Sequence, residues 1–181
     1  MVIIRDAKNY LPGILDVHRQ AFGGQKGEVI SKLVGSLLED ETAKPVYSLA
    51  AIEQDTVIGH VLFTRVTIVG GGKNFSGQIL APLAVLPDWQ KRSVGTQLVK
   101  TGIEILRKDG VGIIFVLGHP GYYPRCGFTP VGKHGFEAPY TIPDEYSDAW
   151  MVQALRPGII GTERGKVQCA DSLNRPEHWR E

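Results

Sequence analysis

The stretch LAVLPDWQKRSVGTQLV, residues 83–99, decides how this chain folds because its character changes twice over a short distance. An apolar run ends at Pro87, a polar stretch with Lys91 and Arg92 follows, and apolar residues return at helical spacing after Gly95. This order predicts a strand, a turn and then a helix. The start of such a helix offers unpaired backbone N–H groups and the positive end of the helix dipole, so we expect an anion to bind there.

Composition limits the size and the type of the protein. The chain has 181 residues, of which 43% are hydrophobic, enough for one well-buried core. We therefore expect a single domain over residues 1–165 and a polar C-terminal tail over residues 166–181 that frays. The 20 Lys and Arg residues nearly balance the 19 Asp and Glu residues, and a net charge of +1 argues against a nucleic-acid partner.

Cysteine content and hydropathy predict a soluble, cytoplasmic protein. The two cysteines, Cys126 and Cys169, are too few for a disulfide framework and are not spaced as a CxxC metal site. The first ten residues carry charges at Arg5 and Asp6 and lack the apolar core of a signal peptide. No segment has the run of apolar residues that a membrane span needs. We expect a reducing compartment, no membrane partner and no metal.

Hydrophobic periodicity predicts three helices and a sheet. Apolar residues at helical spacing predict two helices within residues 11–38, separated by glycines, and a third that ends near Gly110. Tight turns are predicted at Gln54-Asp55 and at the glycine-rich run 70–77. The segments predicted as strands are residues 2–5, 47–53, 57–69, 78–86, 111–118, 128–131 and, as the last, 150–155.

The third helix and the strands on either side of it form a crossover unit. Residues 111–118 are continuously apolar, which is typical of a strand buried on both faces. A strand–helix–strand connection of this kind places residues 78–86 and 111–118 parallel, with a right-handed crossover. The predicted fold class is therefore α/β (α+β), with a mixed, mostly antiparallel sheet flanked by helices and one central parallel pair.

Two motifs give the chain a resemblance to a known family. Residues 90–95, QKRSVG, follow APLAV and a proline and resemble the Q/R-x-x-G-x-G/A pyrophosphate loop of the GNAT superfamily of N-acetyltransferases. Residues 122–128, YYPRCGF, are similar to the YY-x-R-x-GF segment that follows the next strand in that superfamily. Either motif alone is weak, whereas the pair at this spacing is specific.

The resemblance implies a GNAT-like fold whose central parallel strands splay apart, with acetyl-CoA bound as cosubstrate. It implicates Leu83, Ala84 and Val85 of the splayed strand, and Gln90, Lys91, Arg92, Ser93, Val94, Gly95 and Thr96 of the loop and first helical turn. Ser93 departs from the pattern, which has glycine at that position. A serine at positive φ is strained, although its hydroxyl can donate a hydrogen bond to a phosphate oxygen.

The resemblance also implies a general acid. Tyr123 stands where the superfamily commonly has the residue that donates a proton to the departing CoA thiolate. A phenol, with a pKa of about 10, stays protonated at neutral pH and can serve as that donor. The alternatives for Tyr123 are a core tyrosine or a hydrogen bond to the CoA sulfur without proton transfer. Tyr122 is interpreted as a packing residue.

The general base is not fixed by the sequence. Some members of the superfamily use a glutamate on the strand equivalent to residues 78–86, and this chain has no acid there. His119 is a catalytic candidate by position, although a capping role explains this residue as well. Further candidates by position only are Glu137, Asp144 and Glu145. The histidines interpreted as surface or core residues, without metal-ligand spacing, are His18, His60, His134 and His178.

The predicted function is transfer of the acetyl group of acetyl-CoA to a primary amine by direct attack in a ternary complex. Nothing at the site resembles an acyl-accepting nucleophile, because Cys126, at an x position of the second motif, is interpreted as a packing residue. The acceptor, a small-molecule amine or a protein amine, is not predicted, and a homodimer stays open. Ser93 and the missing strand carboxylate keep open a non-catalytic acyl-CoA sensor or partner-binding module. A nucleotide-binding regulator is disfavoured because GxxxxGK[ST] and GxGxxG are absent.

Overall fold

The computed structural model describes residues 1–72 and 74–180, in which a nine-stranded sheet is flanked by three α-helices. The strands are β1 (Ile3–Asp6), β2 (Tyr47–Glu53), β3 (Thr56–Ile68), β4 (Gly77–Val85), β5 (Ile113–Leu117), β6 (Thr129–Pro130), β7 (Phe136–Glu137), β8 (Trp150–Ala154) and β9 (Gly165–Gln168). The helices are α1 (Leu11–Phe22), α2 (Gly24–Glu39) and α3 (Val94–Lys108). Short 3-10 helices lie at Glu41–Ala43, Pro87–Trp89, Tyr123–Cys126, Asp144–Ala149 and Pro176–Trp179.

The main path of the sheet has the strand order β1-β2-β3-β4-β5-β8-β6. Along this path only the β4–β5 pair is parallel. The predicted mixed, mostly antiparallel sheet and the β4–α3–β5 crossover are therefore confirmed. The predicted glycine-rich turn at 70–77 connects β3 to β4, and Lys73 within it lies outside the described residues.

The β2–β3 hairpin turns where the sequence predicts it. Gln54 and Asp55 have φ values of 47° and 63°. Two consecutive residues with positive φ form the kind of two-residue loop whose twist matches that of the flanking strands. The hairpin therefore fixes which side chains of β2 and β3 face each side of the sheet.

Helices cover both faces of the sheet. The apolar residues of α1 and α2 pack on one face, where Ile14, Val34 and Leu37 are almost completely buried. The apolar stripe of α3 packs on the other face through Leu98 and Leu106, which are fully buried. Recurrence of apolar residues every three or four positions produces these stripes. None of the helices in the described ranges is long and apolar enough to cross a membrane.

The two central parallel strands, β4 and β5, are paired along only part of their length. Parallel pairing of β4 with β5 runs from Gly77 opposite Ile113 to Leu80 opposite Val116, and it stops there. Beyond Leu80, β4 continues to Val85 with β3 as its partner. A gap therefore opens between β4 and β5 along residues 81–85, the C-terminal half of β4.

The C-terminal segment is part of the fold, so the prediction that it frays is wrong. Strand β9 pairs with the end of β3 and with β7, and neither β7 nor β9 is predicted by the sequence. Trp179 is 5% exposed, and its ring lies 5.7 Å from that of Trp150. Ser172 donates hydrogen bonds from its N–H and its hydroxyl to Oδ2 of Asp40, at 2.9 and 2.7 Å. These contacts tie the tail to the end of α2.

Candidate active site

A cleft of about 960 Å³ occupies the gap between β4 and β5. One wall is formed by the first turn of α3 and by the segment after β5, which belong to the core on the α3 face. The other wall is formed by α2 and the C-terminal 3-10 helix, whose apolar residues belong to the core on the opposite face. The cleft therefore reaches both faces of the sheet through the gap.

The start of α3 presents unpaired backbone donors to this cleft. Ser93 precedes the helix in the left-handed conformation, with φ 66° and ψ 9°, so the strained geometry expected for a serine here is present. Its side chain makes no capping hydrogen bond. The first helical bond runs from the N–H of Gln97 to the carbonyl of Ser93. Within the described ranges, the N–H groups of Val94, Gly95 and Thr96 have no acceptor in the protein.

Of the two basic residues in the loop before α3, one lines the cleft and the other does not. Lys91 is exposed, has φ 62° and lines the cleft. Arg92 lies outside the cleft lining, and its guanidinium stacks 5.1 Å above the ring of Trp89. Gln90 donates from Nε2 to the carbonyl of Val85 at 3.0 Å. Gln90 therefore fixes the end of β4 to the loop.

The predicted binding residues of β4 also differ in whether they line the cleft. Leu83 and Val85 line the cleft, whereas Ala84 is 3% exposed and lies in the core opposite His60 of β3. Successive side chains of a strand point to opposite faces, so Ala84 packs in the core of the α1–α2 face and its two neighbours pack on the α3 face. Of the ten predicted binding residues, eight line the cleft, and Ala84 and Arg92 do not.

Tyr122 reaches the start of α3, a contact that the sequence does not predict. Its hydroxyl forms a hydrogen bond with Oγ1 of Thr96 at 3.3 Å. A Cβ atom added to Gly95 would lie 2.6 Å from the Tyr122 oxygen, so any other residue there would have to displace the Tyr122 side chain. The guanidinium of Arg125 lies 4.8 Å above the Tyr122 ring. Tyr122 therefore lines the cleft beside the unpaired amides of α3, as well as being a packing residue.

Tyr123 lies against aromatic neighbours at the same wall. Its ring makes edge-on contacts with the rings of Tyr122 at 5.1 Å and Phe128 at 5.9 Å. Burial raises the pKa of Tyr123, and the neighbouring Tyr122 and Cys126 raise it further. The phenol therefore keeps its proton at neutral pH, as a proton donor must.

His119 is exposed and holds the turn that carries the two tyrosines. Its Nδ1 accepts a hydrogen bond from the N–H of Gly121 at 2.9 Å, and its carbonyl accepts from the N–H of Tyr122 at 3.0 Å. Because Nδ1 is an acceptor, Nε2 carries the proton of the neutral ring. This geometry is that of the capping alternative, and catalysis by His119 stays a prediction. The acids Glu137, Asp144 and Glu145 do not line the cleft.

Two of the remaining histidines are core residues. His18 and His60 are fully buried and share a hydrogen bond of 2.7 Å between Nε2 and Nδ1. His60 also bonds to the hydroxyl of Ser48 at 2.7 Å. Burial lowers the pKa of His18 to about 4, and burial together with His18 lowers the pKa of His60 well below its usual value. Both rings are therefore neutral at physiological pH.

The C-terminal histidine is different, and sequence reasoning missed it. His178 is half-buried and lines the cleft, as does its exposed neighbour Glu177. Burial lowers the pKa of His178, Glu177 raises it and Arg175 lowers it, with a net decrease. No spacing in the sequence connects this segment to residues 83–123, so the only available signal was a His next to a Glu in a polar tail.

Comparison with known proteins identifies the family of this chain. A family profile described as acetyltransferase (GNAT) domain matches residues 3–131. The Escherichia coli K12 protein YjhQ, an uncharacterised N-acetyltransferase, is 47% identical over 159 residues, which are 87% of this chain and 86% of YjhQ. The E. coli K12 N-acetyltransferase YhbS is 29% identical over 164 residues, 91% of this chain and 93% of YhbS.

Two solved structures share the arrangement of helices and strands. YhbS from E. coli in complex with CoA has a TM-score of 0.82 and 27% identity, covering 97% of this chain and 92% of that protein. A GNAT family acetyltransferase from Brucella melitensis in complex with acetyl-CoA has a TM-score of 0.74 and 26% identity, covering 96% and 98%. Since the profile covers well over half of the chain and YjhQ is 47% identical along most of it, this chain belongs to the GNAT family of N-acetyltransferases.

Proposed function

We propose that this enzyme transfers the acetyl group of acetyl-CoA to a primary amine by direct attack in a ternary complex. One observation carries the proposal: the unpaired amides at the start of α3, the open edge of β4 and the Tyr123 side chain line a single cleft. The solved relatives in complex with CoA and acetyl-CoA support the assignment of the cosubstrate.

The residues of the cleft fit a coenzyme diphosphate. The N–H groups of Val94, Gly95 and Thr96 converge at the positive end of the α3 dipole, where a phosphate is favoured. Gly95 leaves space there that a Cβ atom would fill. Lys91 adds a positive charge at the same wall, and the next residue, Arg92, stacks on Trp89, which also lines the cleft.

The gap in the sheet fits the pantetheine arm. Backbone groups of residues 81–85 that face β5 have no strand partner there, because the parallel pairing ends at Leu80. Unpaired backbone groups are costly to bury, so an amide-bearing ligand that pairs with them gains affinity and a fixed register. Leu83 and Val85 line this part of the cleft, and Gln90 holds the end of β4 in place.

The chemistry then needs a proton donor at the thioester sulfur. The amine nitrogen attacks the thioester carbonyl carbon, a C–N bond forms and the C–S bond breaks. Tyr123 donates its phenolic proton to the departing sulfur and regains a proton from the attacking nitrogen. The buried thiol of Cys126, with its raised pKa, is a packing residue, which is consistent with direct attack.

Binding and turnover test these assignments separately. Titration calorimetry with CoA measures binding, and thiol release from acetyl-CoA with a panel of primary amines measures turnover. We expect Lys91→Ala to weaken CoA binding about tenfold, or about 1.4 kcal/mol, and to make it less sensitive to salt. Lys108→Ala, at the other end of α3, is the matched control. Unchanged CoA affinity in Lys91→Ala and Arg92→Ala would remove both from the diphosphate site.

Tyr123→Phe tests the general acid. We expect kcat to fall about 10²-fold or more while the affinity for CoA stays the same. A variant with wild-type kcat would show that Tyr123 is not the donor. Tight CoA binding by the wild type without turnover of any amine would favour the binding module. A small-molecule or protein amine as acceptor, the absence of nucleic-acid and membrane partners, and a cytoplasmic location stay predictions of this proposal.

A further inference from the structure

The C-terminal 3-10 helix Pro176–Trp179 brings a histidine and a carboxylate to the cleft from the face opposite α3. Leu173 and Trp179, on either side of this pair, are buried in the core cluster of the α1–α2 face. Tyr123 and the first turn of α3 pack with the other cluster. The pair therefore approaches the gap between β4 and β5 from the side that the diphosphate site does not use.

We propose that His178 is the general base that takes a proton from the acceptor ammonium, with Glu177 holding that ammonium beside it. The inference rests on the proposed acetyl transfer. An amine arrives largely as ammonium and must lose a proton before its nitrogen can attack a thioester, so a base is needed within reach of the acceptor.

Elimination among the cleft residues leads to this pair. Among the described residues that line the cleft, Glu177 is the only carboxylate, and the histidines are His119 and His178. Nδ1 of His119 already accepts a hydrogen bond from Gly121, and its other nitrogen carries the proton. His119 therefore has no lone pair to offer without breaking the turn that it caps.

His178 is held firmly but keeps its ring unengaged. Its backbone N–H donates to the carbonyl of Arg175 at 3.1 Å. The next residue, Trp179, is buried against Trp150 and donates from Nε1 to the carbonyl of Leu173 at 3.0 Å. Within residues 1–72 and 74–180, neither ring nitrogen of His178 has a hydrogen-bond partner. A fixed backbone with a free imidazole suits a group that must accept a proton from a ligand.

The charges around His178 favour its neutral, proton-accepting form. Burial lowers its pKa, Arg175 lowers it further, and Glu177 acts in the opposite direction. The other titratable or charged groups that line the cleft are Lys26 of α2, Lys91, His119, Tyr122, Tyr123, Arg125 and Arg180. Four of these groups, Lys26, Lys91, Arg125 and Arg180, are cations, whereas the decrease in the pKa of His178 comes from burial and from Arg175. The imidazole is therefore available as a base at neutral pH.

The proton balance closes with this assignment. The ammonium gives one proton to His178, which returns it to solvent after the reaction. The neutral nitrogen attacks the thioester carbon, the C–N bond forms and the C–S bond breaks. The second proton leaves the nitrogen and ends on the CoA sulfur by way of Tyr123. One amide, one thiol and one released proton result, and no further reactant is needed.

The experiment uses the full-length enzyme with acetyl-CoA and the amine of the panel that gives the highest wild-type kcat/KM. We expect His178→Gln to lower kcat/KM about 10²-fold at pH 7 and to leave CoA affinity unchanged. The rate of this variant should rise tenfold per pH unit as far as the pKa of the amine, whereas the wild-type rate levels off at lower pH. Added imidazole should restore part of the activity of His178→Ala, which a purely structural role would not allow.

His134→Gln is the matched control, because His134 is an exposed histidine outside the cleft. Glu177→Gln should raise KM for the amine more than it lowers kcat. A His178→Gln enzyme with the wild-type pH profile, or no imidazole rescue of His178→Ala at an unchanged melting temperature, would overturn the assignment while leaving acetyl transfer intact. CoA binding without wild-type turnover of any amine would overturn both proposals.

Discussion

Replacing Ser93 with glycine should make the enzyme more stable and its CoA binding weaker. Ser93 sits at φ 66°, where a residue with a Cβ atom costs about 1–2 kcal/mol. Glycine removes that strain but loses about 0.5–1 kcal/mol more conformational entropy on folding. No capping hydrogen bond is lost, since the Ser93 side chain makes none. Taking the middle of both ranges, we expect a net gain of about 0.5–1 kcal/mol.

Thermal unfolding measures this gain. For a chain of this size, 1 kcal/mol corresponds to about 2–4 °C, so Ser93→Gly should melt about 1–4 °C above the wild type. Ser93→Ala is the matched control, because alanine lacks the hydroxyl and keeps the Cβ atom that causes the strain. If the two variants melt at the same temperature, the strain attributed to Ser93 is not stored there.

The same two variants separate strain from ligand binding. If the Ser93 hydroxyl donates to a phosphate oxygen, both variants lose one charge-assisted hydrogen bond, worth about 1.5–3 kcal/mol. Calorimetry should therefore show CoA affinity reduced about tenfold or more in both. Wild-type affinity in Ser93→Ala would refute the hydroxyl contact, and affinity that rises in Ser93→Gly alone would show that the serine hinders the loop.

Two further substitutions test neighbouring contacts. Gly95→Ala should reduce CoA affinity at least tenfold in calorimetry, because the added Cβ atom lies 2.6 Å from the Tyr122 oxygen. A second change, Tyr122→Phe, should restore part of that affinity, and no recovery would argue against the clash. Asp40→Ala should lower stability at pH 7 by about 1–2 kcal/mol, since the carboxylate accepts hydrogen bonds from Thr42 and Ser172. Burial acts to raise the pKa of Asp40, but those bonds outweigh it and lower the pKa from 3.8 to about 2. This stabilisation is therefore present above about pH 4 and is lost as pH falls towards 2. Denaturant unfolding should show the free energies of unfolding of the wild type and Asp40→Ala converging over that range. A constant difference between them would contradict the role of the carboxylate.

The central sheet could be predicted because its signals are local. Strands β2 and β3 are rich in apolar, aromatic and β-branched residues, and the turn between them falls on two polar residues, Gln54 and Asp55, both at positive φ. β5 is buried on both faces, so its apolar character is unbroken. The start of α3 was predictable for the same reason, since proline, glycine and the return of helical spacing all occur within the stretch 83–99.

The C-terminal part could not be predicted because distant residues hold it in place. Strand β7 has two residues and β9 has four, too few for any periodicity. Trp179 stands alone among polar neighbours, and its burial depends on Trp150 and on the carbonyl of Leu173. The same limit applies to the site, because His178 comes to the cleft only through these contacts.

The two walls of the cleft differ in how the chain builds them. The wall that carries the unpaired amides of α3 comes from residues 83–125, where the end of β4, the start of α3 and the Tyr122–Tyr123 turn after β5 lie close together in sequence. The opposite wall is formed by α2 and the C-terminal segment. These two parts are joined by the carboxylate of Asp40, which accepts hydrogen bonds from Ser172, 132 residues further along the sequence. The deprotonation proposed for His178 depends on the second wall, where the geometry rests on contacts that short motifs do not encode.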